Sequence, residues 1–145
     1  AASGADDVFD PAAHERPGRA LRALTGGAHV AFEFVGHAAS VELGLDSVAA
    51  GGRLVVVGVG LERPRLPPVV RLVGMELTVS GSFGSTMAEL EAVVTLLEQE
   101  RIDVSRSVAR HVGLDEAAAI FDTASGPGRT VIHPNGTGAG AHVGT

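Results

Sequence analysis

The 145-residue chain has no cysteine, no tryptophan and no tyrosine. It has no lysine either, so all 11 of its basic residues are arginines. Without cysteine there is no disulfide framework, thiolate nucleophile, iron–sulfur cluster or cysteine-ligated zinc. Five phenylalanines are the only aromatics. The core is therefore left to Val, Leu, Ile and Ala, and base stacking on aromatic platforms is a poor fit. No basic run occurs, and 17 acidic residues bring the formal charge to -6, so nucleic acid is not an expected partner. No apolar run approaches the ~20 residues of a membrane helix. The opening AASGADDVFDP has neither the basic start nor the apolar stretch of a secretory signal. A cytoplasmic protein without membrane contact is the expectation.

Apolar residues make up 45% of the chain, enough for a packed core. Twenty glycines, roughly twice the usual share, point to many tight turns. Residues 29–36, HVAFEFVG, and 53–60, RLVVVGVG, are continuous apolar runs ending in glycine. Such runs read as strands buried on both faces. Between them Val41, Leu45 and Val48 mark one face of a helix, with Gly51 and Gly52 as its stop. The sum is a βαβ unit with a parallel sheet. GMELTVSGSF (74–83) reads as a third strand, after a proline-punctuated link with a short helix at VVRLVG. Thr86 and Glu89 form a capping box for a helix whose buried stripe is Met87, Leu90, Val93, Val94 and Leu97. Upstream, ERPGRALRALTGG predicts a helix with Leu21 and Leu24 inward, and ADDVFDP a short strand. Downstream, RHVGL, DEAAAIFDTA and RTVIHP predict strand, helix and strand, with Asp115 as N-cap. The glycine-rich residues 135–145 are expected to be a disordered tail.

The six histidines, at 14, 29, 37, 111, 133 and 142, include no two at three-to-five-residue spacing. No local metal-ligand pair exists, and no metal site or specifically bound zinc is expected. No GxSxG elbow places a catalytic serine, and no catalytic residue is assigned. The strand ends are more informative. In a doubly wound sheet, ligands lie beyond the C-terminal ends of the strands. Phe34-Val35-Gly36, Val57-Gly58-Val59 and Gly81-Ser82-Phe83 each combine apolar contact with open backbone, which suits the flat rings of a nucleotide; the alternative is that glycine merely ends a buried strand. Arg129, after a Gly-Pro-Gly turn, is either a phosphate clamp or a solvated loop charge. Glu33, inside an apolar run, needs hydrogen-bond partners. It either faces a cleft or ties down a neighbouring loop.

The order of these segments resembles the C-terminal part of the zinc-type medium-chain alcohol dehydrogenases. FEFVGH, GGRLVVVG, GSFG and the closing LDEA…F…GRTV carry the likeness, which covers about residues 3–134. The resemblance implies an α/β fold, a partial Rossmann-type doubly wound parallel sheet. Its divisions would be a partial dinucleotide-binding domain at 1–109, a segment returning to the catalytic domain at 110–134, and the tail. It also implies an NAD(P)-dependent oxidoreductase that interconverts an alcohol and a carbonyl compound. Val35 and Gly36 would then contact the adenosine side of NAD or NADP. Gly58 and Val59 would lie by the nicotinamide ribose, Ser82 and Phe83 by the nicotinamide, and Arg129 on the pyrophosphate. The strand at 74–83 would be the dimer edge. The family's zinc ligands, its Gly-rich GxGxxG turn and its ribose-reading acidic residue have no counterpart in this sequence. The expectation is a fragment inactive alone, forming a homo-oligomer or pairing with a complementary half. The alternative is a non-catalytic dimerisation module. A methyltransferase of similar architecture would need an acidic and Gly-rich pair near its first strand, which is not found.

Overall fold

A computed structural model describes residues 4–121 and 128–136. The tail from residue 137 onward lies outside the described residues. The chain divides into two compact units, residues 1–85 and 86–145.

The first unit runs α1 (Pro17–Thr25), β1 (Ala28–Glu33), α2 (Ala38–Ser47), β2 (Val48–Val56), α3 (Val69–Gly74) and β3 (Thr78–Gly81). The strands form one sheet in the order β1-β2-β3, both pairs parallel. In register, Ala31 faces Leu54, Glu33 faces Val56, and Val56 faces Gly81. All three C-terminal ends therefore reach one edge, as the βαβ reading requires. The helix at VVRLVG is present as α3.

The core forms where α2 crosses the sheet. Val41, Leu45 and Leu54 are buried together, with Ala31 and Val56 packed against them. Gly44 permits the crossing, because a Cβ there would stand 2.7 Å from the Leu54 Cδ1 methyl. Arg71 of α3 pairs with Asp46 and reaches the Leu45 and Asp46 carbonyls at 3.3 and 3.4 Å. A guanidinium there complements the negative end of α2.

Several sequence expectations are corrected here. Helix α2 stops at Ser47 rather than at Gly51–Gly52. The glycines instead lie inside β2, where Gly51 takes φ 71° and the pairing with β1 shifts register. ADDVFDP is not a strand: residues 5–10 are irregular, and Asp10 caps a 3-10 turn over Pro11–Ala13. A strand needs a neighbour to pair with, and among the described residues neither sheet includes this segment. Leu24 is exposed and only Leu21 is half-buried. Strand β1 is covered on one face only: Glu33 is buried and Ala31 half-buried, while Val30, Phe32 and, just past the strand, Phe34 are exposed. Composition marked the run as apolar but could not say which face finds a neighbour.

In the second unit α4 (Met87–Glu98) starts at the expected capping box. The Glu89 amide donates to Thr86 Oγ1, and the Thr86 amide donates to the Glu89 carboxylate at 2.6 Å. Its apolar stripe is exposed at Met87, Leu90, Val93 and Val94, and only half-buried at Leu97. Strands β4 (Val108–Gly113) and β5 (Arg129–His133) pair in parallel, with α5 (Ala117–Phe121) in the connection. Asp115 is not the cap of that connection: Gly113 precedes its 3-10 turn and donates its amide to Glu116 at 3.1 Å. Among the described residues no helix is long and apolar enough to cross a membrane.

Leu54 is fully buried beneath α2. Leu54→Ala is expected to cost about 2–5 kcal/mol, the range for emptying a well-packed aliphatic site. A lower urea midpoint with an unchanged slope is the expected reading.

Candidate functional site

The three strand-end turns meet at the C-terminal edge of the β1-β2-β3 sheet. Glu33, the last residue of β1, is 5% exposed and its carboxylate turns back under the following loop. It accepts the Val35 amide at 2.7 Å, the Gly36 amide at 2.9 Å and the Ser40 hydroxyl at 2.7 Å. The Glu33 carbonyl accepts the amides of Val57 and Gly58 at 2.8 and 3.0 Å. One residue thus ties the end of β1 to the start of α2 and to the end of β2. Of the two roles left open for Glu33, it performs the loop-tying one. Burial pushes its carboxyl up, but the bonds from Ser40, Gly36 and Val35, with His37 nearby, outweigh that and hold it below its ordinary value.

The turns approach so closely that only backbone fits between them. Gly36 has φ 83°, and a Cβ on it would lie 2.6 Å from the Val59 carbonyl carbon. A Cβ on Gly58 would overlap the Gly36 amide nitrogen, and one on Gly60 the Gly36 carbonyl oxygen. The Ser82 amide donates to the Val56 carbonyl at 2.9 Å, which brings the third turn alongside. Glu62 reaches across the edge to the start of α2. Its carboxylate accepts the Ala38 amide at 2.8 Å and lies 3.1 Å from His37 Nδ1, and these bonds hold its carboxyl low. A carboxylate at a helix N-terminus is favourably placed.

Of the sequence-predicted residues, Val35, Gly36, Gly58, Val59, Ser82 and Phe83 converge on this edge. Arg129 opens β5 in the second unit, exposed to solvent. The amides of Val35, Gly36, Gly58 and Ser82 are all engaged within the fold. What the edge offers a ligand is apolar surface, from exposed Phe34, Val35, Val59 and Phe83. The sequence reading missed Ser40, Glu62 and Gly60. Gly60 was signalled by the repeated Gly-x-Gly of VGVG; Glu62 sits 24 residues from the amide it caps and had no local signal.

Parallel strands joined by helices, with glycine turns packed at their C-terminal edge, define a partial Rossmann-type sheet. The chain belongs to the zinc-binding dehydrogenases: the sequence model of that family matches residues 1–99. The likeness is to its zinc-type medium-chain alcohol dehydrogenases, in their C-terminal domain. It is similar to the alcohol dehydrogenase of the hyperthermophilic archaeon Aeropyrum pernix, with 34% identity and a TM-score of 0.71 over 90% of this chain and 38% of that one. It is also similar to alcohol dehydrogenase TADH from Thermus sp. ATN1, with 30% identity and a TM-score of 0.70 over 84% and 37%. A zinc-binding dehydrogenase of Sinorhizobium meliloti 1021, bound to NADP, shares 27% identity with a TM-score of 0.75 over 90% and 40%. The chain thus spans about 40% of the length of such relatives. No curated protein matches the sequence significantly.

The residues here do not fit the family's zinc. The sequence has no cysteine, and the described residues include no cluster of three or more His, Asp or Glu able to hold a metal ion. A flat ligand fits the edge better than a metal does, because the Gly36–Gly58–Gly60 contact packs the turns together and leaves Phe34, Val35, Val59 and Phe83 exposed beside it.

Glu33→Gln is expected to cost about 1–3 kcal/mol, because an amide cannot accept from all the donors the carboxylate satisfies. The Glu33 carboxyl is held below its ordinary 4.5. Its contribution to stability is therefore present above that pH and is lost as pH falls through the lowered folded value. Urea denaturation from pH 7 to 3 should show a shallower acid decline in the variant than in the parent.

Proposed function

We propose that this chain supplies the second half of the dinucleotide-binding domain of an NAD(P)-dependent alcohol dehydrogenase, working in the cytoplasm on a small alcohol or carbonyl compound. The observation that carries this reading is the side-chain-free contact among Gly36, Gly58 and Gly60 at the C-terminal edge of a parallel sheet. The NADP-bound relative from Sinorhizobium meliloti supports a nicotinamide dinucleotide as ligand. Val35 and Gly36 take the adenosine side, Gly58 and Val59 the nicotinamide ribose, and Ser82 and Phe83 the nicotinamide. Arg129 holds the pyrophosphate. Because the amides of Val35, Gly36, Gly58 and Ser82 are engaged, these turns act through apolar contact and carbonyl oxygens. The bound dinucleotide would supply the hydride acceptor and donor, while this chain orients its rings and shields them from water.

In this reading residues 1–109 are the partial dinucleotide-binding domain and 110–134 the segment returning to a catalytic domain. The chain contributes no metal ligand to the chemistry and is inactive without a complementary half. The exposed Val30 and Phe32 of β1, with Phe34 just beyond it, favour association, either with that half or between copies of the chain, since an uncovered apolar edge strand is a template for pairing.

Two measurements test this. Titrating the isotopically labelled chain with NADH or NADPH should shift the amides of Val35, Gly36, Gly58, Val59, Ser82 and Phe83 ahead of others. Gly58→Val should remove those shifts, because its side chain would occupy the Gly36 backbone. Shifts confined to other residues, or none at millimolar ligand, would refute the cofactor role. Light scattering after size exclusion should give a mass above the 14.7 kDa monomer at micromolar concentration. A clean monomer would reject self-association.

A further inference from the structure

His111 in β4 and His133 in β5 stand on neighbouring parallel strands, 22 residues apart in sequence. The register sets His111 opposite Val131 and Gly113 opposite His133. The two histidines are therefore diagonal neighbours on one face of this two-stranded sheet. Nδ1 of His111 lies 2.8 Å from Nε2 of His133, and the ring centroids are 5.1 Å apart. Neighbouring nitrogens at this separation cannot both present a proton to each other, so at least one offers a lone pair into the gap. His111 is exposed and His133 half-buried, so the pair is open to a solute.

Imidazole nitrogens bind a divalent transition metal at about 2.0–2.1 Å. Two of them in adjacent positions of a square or octahedral centre are then about 2.8–3.0 Å apart. In a tetrahedral centre they would be about 3.3–3.4 Å apart. The observed 2.8 Å matches the square or octahedral spacing and falls short of the tetrahedral one. We propose that His111 and His133 form a two-nitrogen chelate for a divalent transition metal of square or tetragonal preference, Cu(II) first and Ni(II) after it. Imidazole suits both metals, and Cu(II) heads the affinity order. Water fills the remaining positions, since the described residues offer no third ligand to make a cluster. Coordination replaces the bond between the rings. Where His111 carries its proton on Nδ1, that proton leaves and the far nitrogen, Nε2, takes one up, so the ring stays neutral. The metal then clips β4 to β5 and stabilises the pair by mass action. This site lies in the second unit and is independent of the dinucleotide reading.

The test titrates the full chain with CuCl2 in a non-coordinating buffer, read by calorimetry and electron paramagnetic resonance. One equivalent should bind first, with a tetragonal signal split by two imidazole nitrogens. Loss of either ring leaves a monodentate site, so H111Q and H133Q should each weaken that event about tenfold or more. H29Q should match the parent. Because strand substitutions can loosen the β4–β5 pair, paramagnetic broadening is also read in the unaltered chain. The ring signals of His111 and His133 should broaden before any other histidine. Unchanged Cu(II) affinity in H111Q and H133Q, or first broadening at another histidine, would overturn the proposal.

Discussion

The edge where the strand-end turns meet depends on one buried carboxylate. Glu33 sits where β1 must stop and α2 must begin, and its side chain satisfies two amides that the turn would otherwise orphan. Its own carbonyl does the same for the turn after β2. Burying a charge is costly unless it is hydrogen-bonded, and here the Val35, Gly36 and Ser40 donors offset that cost. The consequence is geometric: five donors bonded to one residue hold two turns against each other. Backbone then meets backbone at Gly36, Gly58 and Gly60, with no room for side chains between.

Helix α2 is complemented at both ends by groups distant in sequence. Glu62 accepts the Ala38 amide at its start, and Arg71 meets its last carbonyls. Each places charge against the helix dipole in the favourable sense. The Arg65 amide donates to Glu42 at 2.8 Å, so the proline-rich loop is also moored on α2. The helix is therefore pinned on the sheet by Leu45 and Leu54 beneath it and by loop residues at its ends.

The coverage of the apolar surface is unequal. Leu45, Val48 and Leu54 are almost fully enclosed, whereas Val30, Phe32, Phe34, Phe83 and the Met87–Val94 face of α4 are exposed. The periodicity that marks an apolar face records what that face is suited to pack against. It does not supply the neighbour. Relatives of known structure are more than twice as long as this chain, and the uncovered faces are where additional packing would have most to gain.

Much of the fold was legible locally. The strand runs, the Thr86–Glu89 box and the proline-entered α3 follow from near-neighbour sterics and hydrogen bonding, and each stands close to where the sequence puts it. The residue order also carried the family likeness, and with it the six positions that converge on the strand ends. Less legible were choices made by partners far along the chain. Gly51–Gly52 reads equally well as a helix stop or a strand irregularity, and only pairing with β1 made it the latter. ADDVFDP had strand character, but among the described residues it joins neither sheet. Glu33 had two possible roles until the turn closed over it, and His111 and His133 had no shared signal until two parallel strands brought them within 2.8 Å. Most of the helices and strands and the strand-end glycines could be read along the chain, because they depend on neighbouring residues. Tertiary structure decided which faces are covered and which polar groups meet, because both are set by contacts between residues remote in the chain.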